Sequence, residues 1–158
     1  MTVRLIRAVV LVLLLAVPAA RGFAQESVQF PVSKLTIETA TGNYPFTVEV
    51  ATDSFQHARG LMYRRELAPD RGMIFLYEKE NEVLMWMKNT YVSLDMLFMD
   101  RTGRIVGIAA NTTPLSTDII PSNAPVKAVL EVAAGTAARL KIKVGNRVIH
   151  PAFRPEAK

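Results

Sequence analysis

The chain has 158 residues, 50% hydrophobic and 21% charged, and its 19 basic and 14 acidic side chains give a formal charge of +5. There is no cysteine, which excludes disulfides, thiol catalysis, cysteine zinc sites and lipid attachment at a lipobox cysteine. No Lys/Arg tract interleaved with aromatics is present, so no nucleic-acid partner is expected.

Arg4 and Arg7 precede an apolar run from Ala8 to Val17, and Pro18 with small residues leads to Gly22-Phe23-Ala24. This is the charged, apolar and small-residue order of a secretory signal. The run falls short of the roughly 20 residues a bilayer requires. Residues 1–24 are therefore predicted to be a signal peptide cleaved after Ala24, with a retained anchor as the alternative. Losing Arg4, Arg7 and Arg21 lowers the formal charge from +5 to +2. The expected product is periplasmic or secreted and has no membrane span: a linker at 25–31, one domain at 32–150 and a C-terminal tail at 151–158.

Within the domain, Lys34–Glu38 and Phe46–Val50 alternate apolar and polar residues around Thr41-Gly42-Asn43, the pattern of a hairpin with one wet face. Thr52 or Asp53 is suited to cap a short helix running to about Met62, and Pro69, Asp70 and Gly72 mark a turn. Strand signals follow at Gly72–Tyr77, Val83–Lys88 and Met96–Met99. The last is joined to Arg104–Ile108 by a turn whose Gly103 suits a left-handed position. Asn111–Pro125 reads as a long polar loop carrying Pro114, Pro121 and Pro125. Ala128–Ala133 returns to strand, Gly135–Leu140 suits one helical turn, and Arg147–Ile149 follows a Gly145-Asn146 turn. Many short strands and one or two short helices predict a mainly β, single-domain β-sandwich or barrel.

Arg59-Gly60-Leu61-Met62, Gly72-Met73-Ile74-Phe75, Trp86-Met87-Lys88-Asn89-Thr90, Leu94-Asp95-Met96 and Leu130-Glu131 with Gly135 occur in one order. In these motifs the chain resembles the domain of unknown function family 192, over roughly Val50 to Val148. The resemblance implies a small, mostly β, jelly-roll-like domain, often exported from bacteria, and implies no established activity. The aromatic usual before the tryptophan in that family is Met85 here.

The candidate binding residues are Arg59, Met62, Trp86, Lys88, Asn89, Thr90 and Asp95. Arg and Asp would fix polar groups, the amide would add directional hydrogen bonds, and the indole would offer a flat apolar platform. Taken singly, each has a plainer explanation. Trp86 amid Met and Leu reads as core, Arg59 and Asp95 as an ion pair, and Asn89 and Thr90 as groups satisfying turn backbone.

Three function classes fit. The first is a binding or accessory module of the cell envelope that recognises a polar small molecule, a saccharide or a protein partner, with no cofactor. The second is a carboxylate-dependent hydrolase using Asp95 and Glu131, which requires both to open into a common pocket. No Gly-x-Ser-x-Gly elbow is present, and His57 is expected to be exposed on its helix. The third is copper(I) held by the thioethers of Met85 and Met87, against which stands ordinary core packing of methionine.

Overall fold

The computed structural model describes residues 28–153, so the predicted signal segment lies outside the described residues. Strand β1 (Val32–Thr39) and strand β2 (Gly42–Ala51) form the expected hairpin, closing at Thr39 opposite Gly42. The short helix α1 (Ser54–Arg59) carries the chain over to β3 (Arg71–Asn81), which runs parallel to β2 with Val50 opposite Ile74. Asp53 caps α1: its Oδ1 accepts the Gln56 N–H at 2.8 Å, while the Gln56 side chain accepts from the backbone of Thr52 and Asp53.

Beyond β3 the sheet continues through β8 (Val126–Ala133), β5 (Leu94–Met99) and β6 (Ile105–Ala109), while β9 (Arg147–Ile149) adds to β1 at the other edge. The order is β6-β5-β8-β3-β2-β1-β9. This seven-stranded sheet curls into a half-barrel, and its edges are joined at one end, where Val148 N–H donates to Gly103 O and Ile105 N–H to Asn146 O, both at 2.8 Å. A two-stranded ribbon, β4 (Leu84–Met85) with β7 (Ile120–Pro121), lies outside the sheet. The domain is thus mainly β with two short helices, α2 (Thr136–Arg139) being the second.

Strand alternation divides the apolar residues into two cores on opposite faces of one sheet. Leu35, Ile37, Val48, Ile74, Leu97 and Leu130 fill the concave face, which Ala137, Leu140 and Ile142 cover at one end. Met73, Phe75, Met96, Phe98 and Val129 form a second core on the convex face with Leu61, Val83, Met85 and Met87. Fully burying one such side chain stabilises the fold by roughly 1.5–3 kcal/mol, so the outer layer is a structural part of the domain.

Two assignments differ from the sequence expectation. The strand expected over Val83–Lys88 is paired only at Leu84 and Met85, because its partner β7 is itself two residues long. That partner lies within Asn111–Pro125, the segment expected to be loop throughout. At the domain margins, expected linker residues are tied down: Gln29 O and Pro31 O accept from Gln56 Nε2 and Val50 N–H at 2.8 Å, and Phe30 packs on the outer core. Phe153, in the expected tail, packs on the inner one.

Candidate functional site

A pocket of about 430 Å³ opens on the convex face, between α1 and the β4 ribbon. Its size lies in the roughly 300–1,000 Å³ range of small-molecule sites. Helix α1 and its exit contribute His57, Arg59 and Met62 to one wall; Val83, Met85 and Trp86 form the opposite wall; Phe75, Tyr77 and Glu131 project from the sheet between them.

Glu131 is the chemical centre of this cavity. In β8 it alternates with Leu130 and Val132, which face the inner core, so it points to the convex side, directly across from Met73 on β3 and Met96 on β5. It is only 4% exposed, and among the described residues no hydrogen bond or ion pair reaches its carboxyl. Burial without a compensating charge pushes its pKa up from 4.5 to about 8. At neutral pH the pocket therefore holds a mostly protonated acid, able to donate one hydrogen bond or, once ionised, to take a cation.

Two neighbours shape its surroundings. The Tyr77 hydroxyl donates to the Met85 sulfur at 3.6 Å, and burial together with the Glu131 charge pushes its pKa up to about 12. The His57 ring lies 4.9 Å from that of Tyr77 and 5.9 Å from that of Phe75. His57 Nε2 is 3.1 Å from Ala51 O. A carbonyl only accepts, so Nε2 carries the proton and Nδ1 of the neutral ring is left as an acceptor. The histidine expected to be exposed thus lines the pocket, held toward the sheet by its bond to Ala51 O at the end of β2 and its ring contacts with Phe75 and Tyr77.

The structure brings Arg59, Met62, Trp86 and Thr90 together with Met85 and Glu131 around this pocket. Arg59 stands at the rim with its guanidinium 4.7 Å from the centre of the Tyr63 ring. The expected Arg59–Asp95 ion pair does not form, since Asp95 faces the inner core, across the sheet from the pocket that Arg59 lines. Trp86 corrects the expectation of a core residue. It is 40% exposed, because Met85 and Met87 on either side turn inward and alternation sends the indole outward.

Lys88, Asn89 and Asp95 lie outside the pocket lining. Lys88 is exposed. Asn89 adopts a left-handed φ of 58°, and its carbonyl accepts the Tyr63 N–H at 2.8 Å. Thr90 lines the pocket, yet its own hydroxyl donates to Lys88 O at 3.3 Å, so it serves the turn as well. Asp95 faces the inner core, paired with Val132, and accepts N–H bonds from Asn111 and Ala137 at 2.8 Å each.

Asp95 and Glu131 therefore sit on opposite faces of the sheet and share no cavity, which removes the geometric premise of the two-carboxylate hydrolase. The methionine pair fares similarly: Met85 borders the pocket, while Met87 is buried with its sulfur accepting from Thr112 Oγ1 at 3.2 Å. No group of three or more His, Cys, Asp or Glu suited to a metal occurs among the described residues.

Tyr77 and Phe75 are the functional candidates that sequence reasoning missed. The available signal was the placement of Tyr77 at the end of Met73–Leu76, where a hydroxyl terminates an apolar run. No helix among the described residues is long and apolar enough to cross a membrane.

Residues 36–150 match the family model DUF192, described as Uncharacterized ACR. A Sinorhizobium meliloti crystal structure, of a protein named as a candidate transcription regulator, is 45% identical with a TM-score of 0.76, covering 78% of this chain and 96% of that one. A Novosphingobium aromaticivorans protein of unknown function is 39% identical with a TM-score of 0.74, covering 75% and 85% of the two chains. No curated protein matches the chain. The chain belongs to the DUF192 family.

Proposed function

We propose that this DUF192 protein is an exported binding module whose convex-face pocket takes a small molecule with a polar group directed at Glu131. The observation that carries the reading is the Glu131 carboxyl, which is 4% exposed, has no hydrogen-bond partner among the described residues, and reaches the surface of a cavity of ligand size. Leaving such a group unpaired costs roughly 1–3 kcal/mol. Folds retain that cost where a ligand supplies the partner. The partly exposed indole at the rim and the rings of Phe75 and Tyr77 supply apolar faces for the rest of the molecule. The signal pattern at residues 1–24 supports export to the periplasm or beyond.

Native mass spectrometry of the protein purified from its own cell envelope tests both parts. A mature N-terminus at Gln25 and a retained small mass, lost in Glu131→Gln and Trp86→Ala, are the expected results. Retention of the same mass by both variants would overturn the assignment of this pocket, and an intact residue 1 would overturn cleavage.

A further inference from the structure

We infer that the ligand is an organic cation, a primary or secondary ammonium on an apolar body, with the ammonium seated against Glu131 and the body against Trp86, Phe75 and Tyr77. The inference rests on the pocket of the proposed function being the ligand site. It follows from what each kind of ligand would meet there.

An anion would have to approach a carboxyl and a phenol, and Arg59, the cation on the lining, is turned to Tyr63, which is not part of it. Arg59 stands at the rim, exposed and stacked on Tyr63, and His57 has its Nε2–H committed to Ala51 O. A neutral molecule could hydrogen-bond the protonated acid, a contact weaker than one with a charged partner. An ammonium pairs with the ionised carboxylate in a charge-assisted contact, and the aromatic rings of Phe75, Tyr77 and Trp86 line the same cavity. Glu82, also on the pocket lining, adds a second negative group at its outer end.

Binding is then linked to the proton on Glu131. The titratable and charged groups around that carboxyl are Tyr77 from β3, His57 and Arg59 from α1 and Glu82 from the segment after β3, while β5 and β4 present Met96 and Met85. Without a cation the acid is mostly protonated below pH 8. An ammonium that requires the carboxylate therefore expels a proton to solvent at neutral pH, and its affinity climbs as pH rises toward that value.

The probes are phenethylammonium, cyclohexylmethylammonium, the isosteric neutral 2-phenylethanol and the anion phenylacetate, titrated at millimolar concentration into the full mature chain. Binding is followed by amide chemical shifts and calorimetry. The ammonium probes are expected to shift residues of the pocket, with affinity rising about ninefold from pH 6 to 7 and about fivefold from pH 7 to 8. Calorimetry in buffers of different ionisation enthalpy is expected to show release of close to one proton at neutral pH. Glu131→Gln should lose at least about tenfold in affinity together with the pH dependence, and Trp86→Ala should lose affinity but keep it.

If 2-phenylethanol or phenylacetate binds the pocket as tightly as the ammoniums, the cation assignment falls and the pocket stands. If none of the four probes shifts any pocket residue, both fall. An unchanged ammonium affinity in Glu131→Gln, with the variant's thermal midpoint showing it folded, also overturns the cation assignment.

Discussion

Asp95, fully buried at the start of β5, accepts the backbone N–H of Ala137 in the first turn of α2 at 2.8 Å. Its second oxygen takes the Asn111 N–H at the same distance. One carboxylate thus holds α2 over the open end of the inner core and anchors the loop that follows β6. Hydrogen bonds to a charged group contribute roughly 1.5–3 kcal/mol each. Asp95→Ala is expected to destabilise the domain by about 3 kcal/mol or more in urea melts. Asp95→Asn should cost less, since it keeps one acceptor but turns an NH₂ toward an N–H. A midpoint unchanged in the alanine variant would refute this role.

Glu131 makes stability pH-dependent in the opposite sense to a salt-bridged acid. Its folded pKa of about 8 lies above the unfolded value, so the native state holds an extra proton between about pH 4.5 and 8. Stability is therefore fully present below the unfolded pKa and declines as pH rises through that window, by at most about 1.4 kcal/mol per unit. Glu131→Gln removes this slope. Urea melts of the two proteins at four pH values should diverge steadily, the variant becoming relatively more stable toward pH 8. Parallel curves would show that the carboxyl is not desolvated.

Gly72 sits opposite Val132, where β3 leaves no room for a side chain against β8. A Cβ there would collide with the carbonyl oxygen of Glu131 and come within 3.2 Å of Val132 Cγ1. Backbone cannot rotate away as a side chain can, so Gly72→Ala should cost at least about 1–3 kcal/mol. Differential scanning calorimetry is expected to show a midpoint lowered by roughly 4 °C per kcal/mol lost. A wild-type midpoint would mean that the strands separate freely at this residue.

The capping box of α1 is open to the same kind of test. Asp53→Ala removes the acceptor of the Gln56 N–H and should cost about 1 kcal/mol. The helix is short and has no buried residue of its own, so the loss should be local. Hydrogen exchange is expected to accelerate in Ser54–Gly60 while the strands of the sheet keep their protection. Uniform acceleration across the domain would contradict a local role.

Much of this architecture was legible in the chain. Alternation in Lys34–Glu38 and Phe46–Val50 located the first hairpin, and Gly103 sits at φ 81° in the turn that its type predicts. Glu131 stood out as an acid inside Val129-Leu130-Glu131-Val132. The separation of Asp95 from Glu131 was not legible, for it depends on a pairing between strands far apart in sequence. Met96, not Asp95, lies opposite Glu131, and a shift of one residue would have placed both acids on one face. Trp86 failed for a related reason. The residue types of its segment suit a buried strand, but the length of that strand is set by β7, some 35 residues onward, whose two residues pair only Leu84 and Met85.

The joining of β1 to β9 also orders events as the chain folds. Ile37 is among the first strand residues of the domain to emerge and its partner Val148 among the last, so the outer edge of β1 stays an open template in between. Until Val148 arrives, strand exchange between copies competes with closure. Lys34 and Glu38 place charge on that edge strand, a deterrent to intermolecular pairing that acts before the native partner exists.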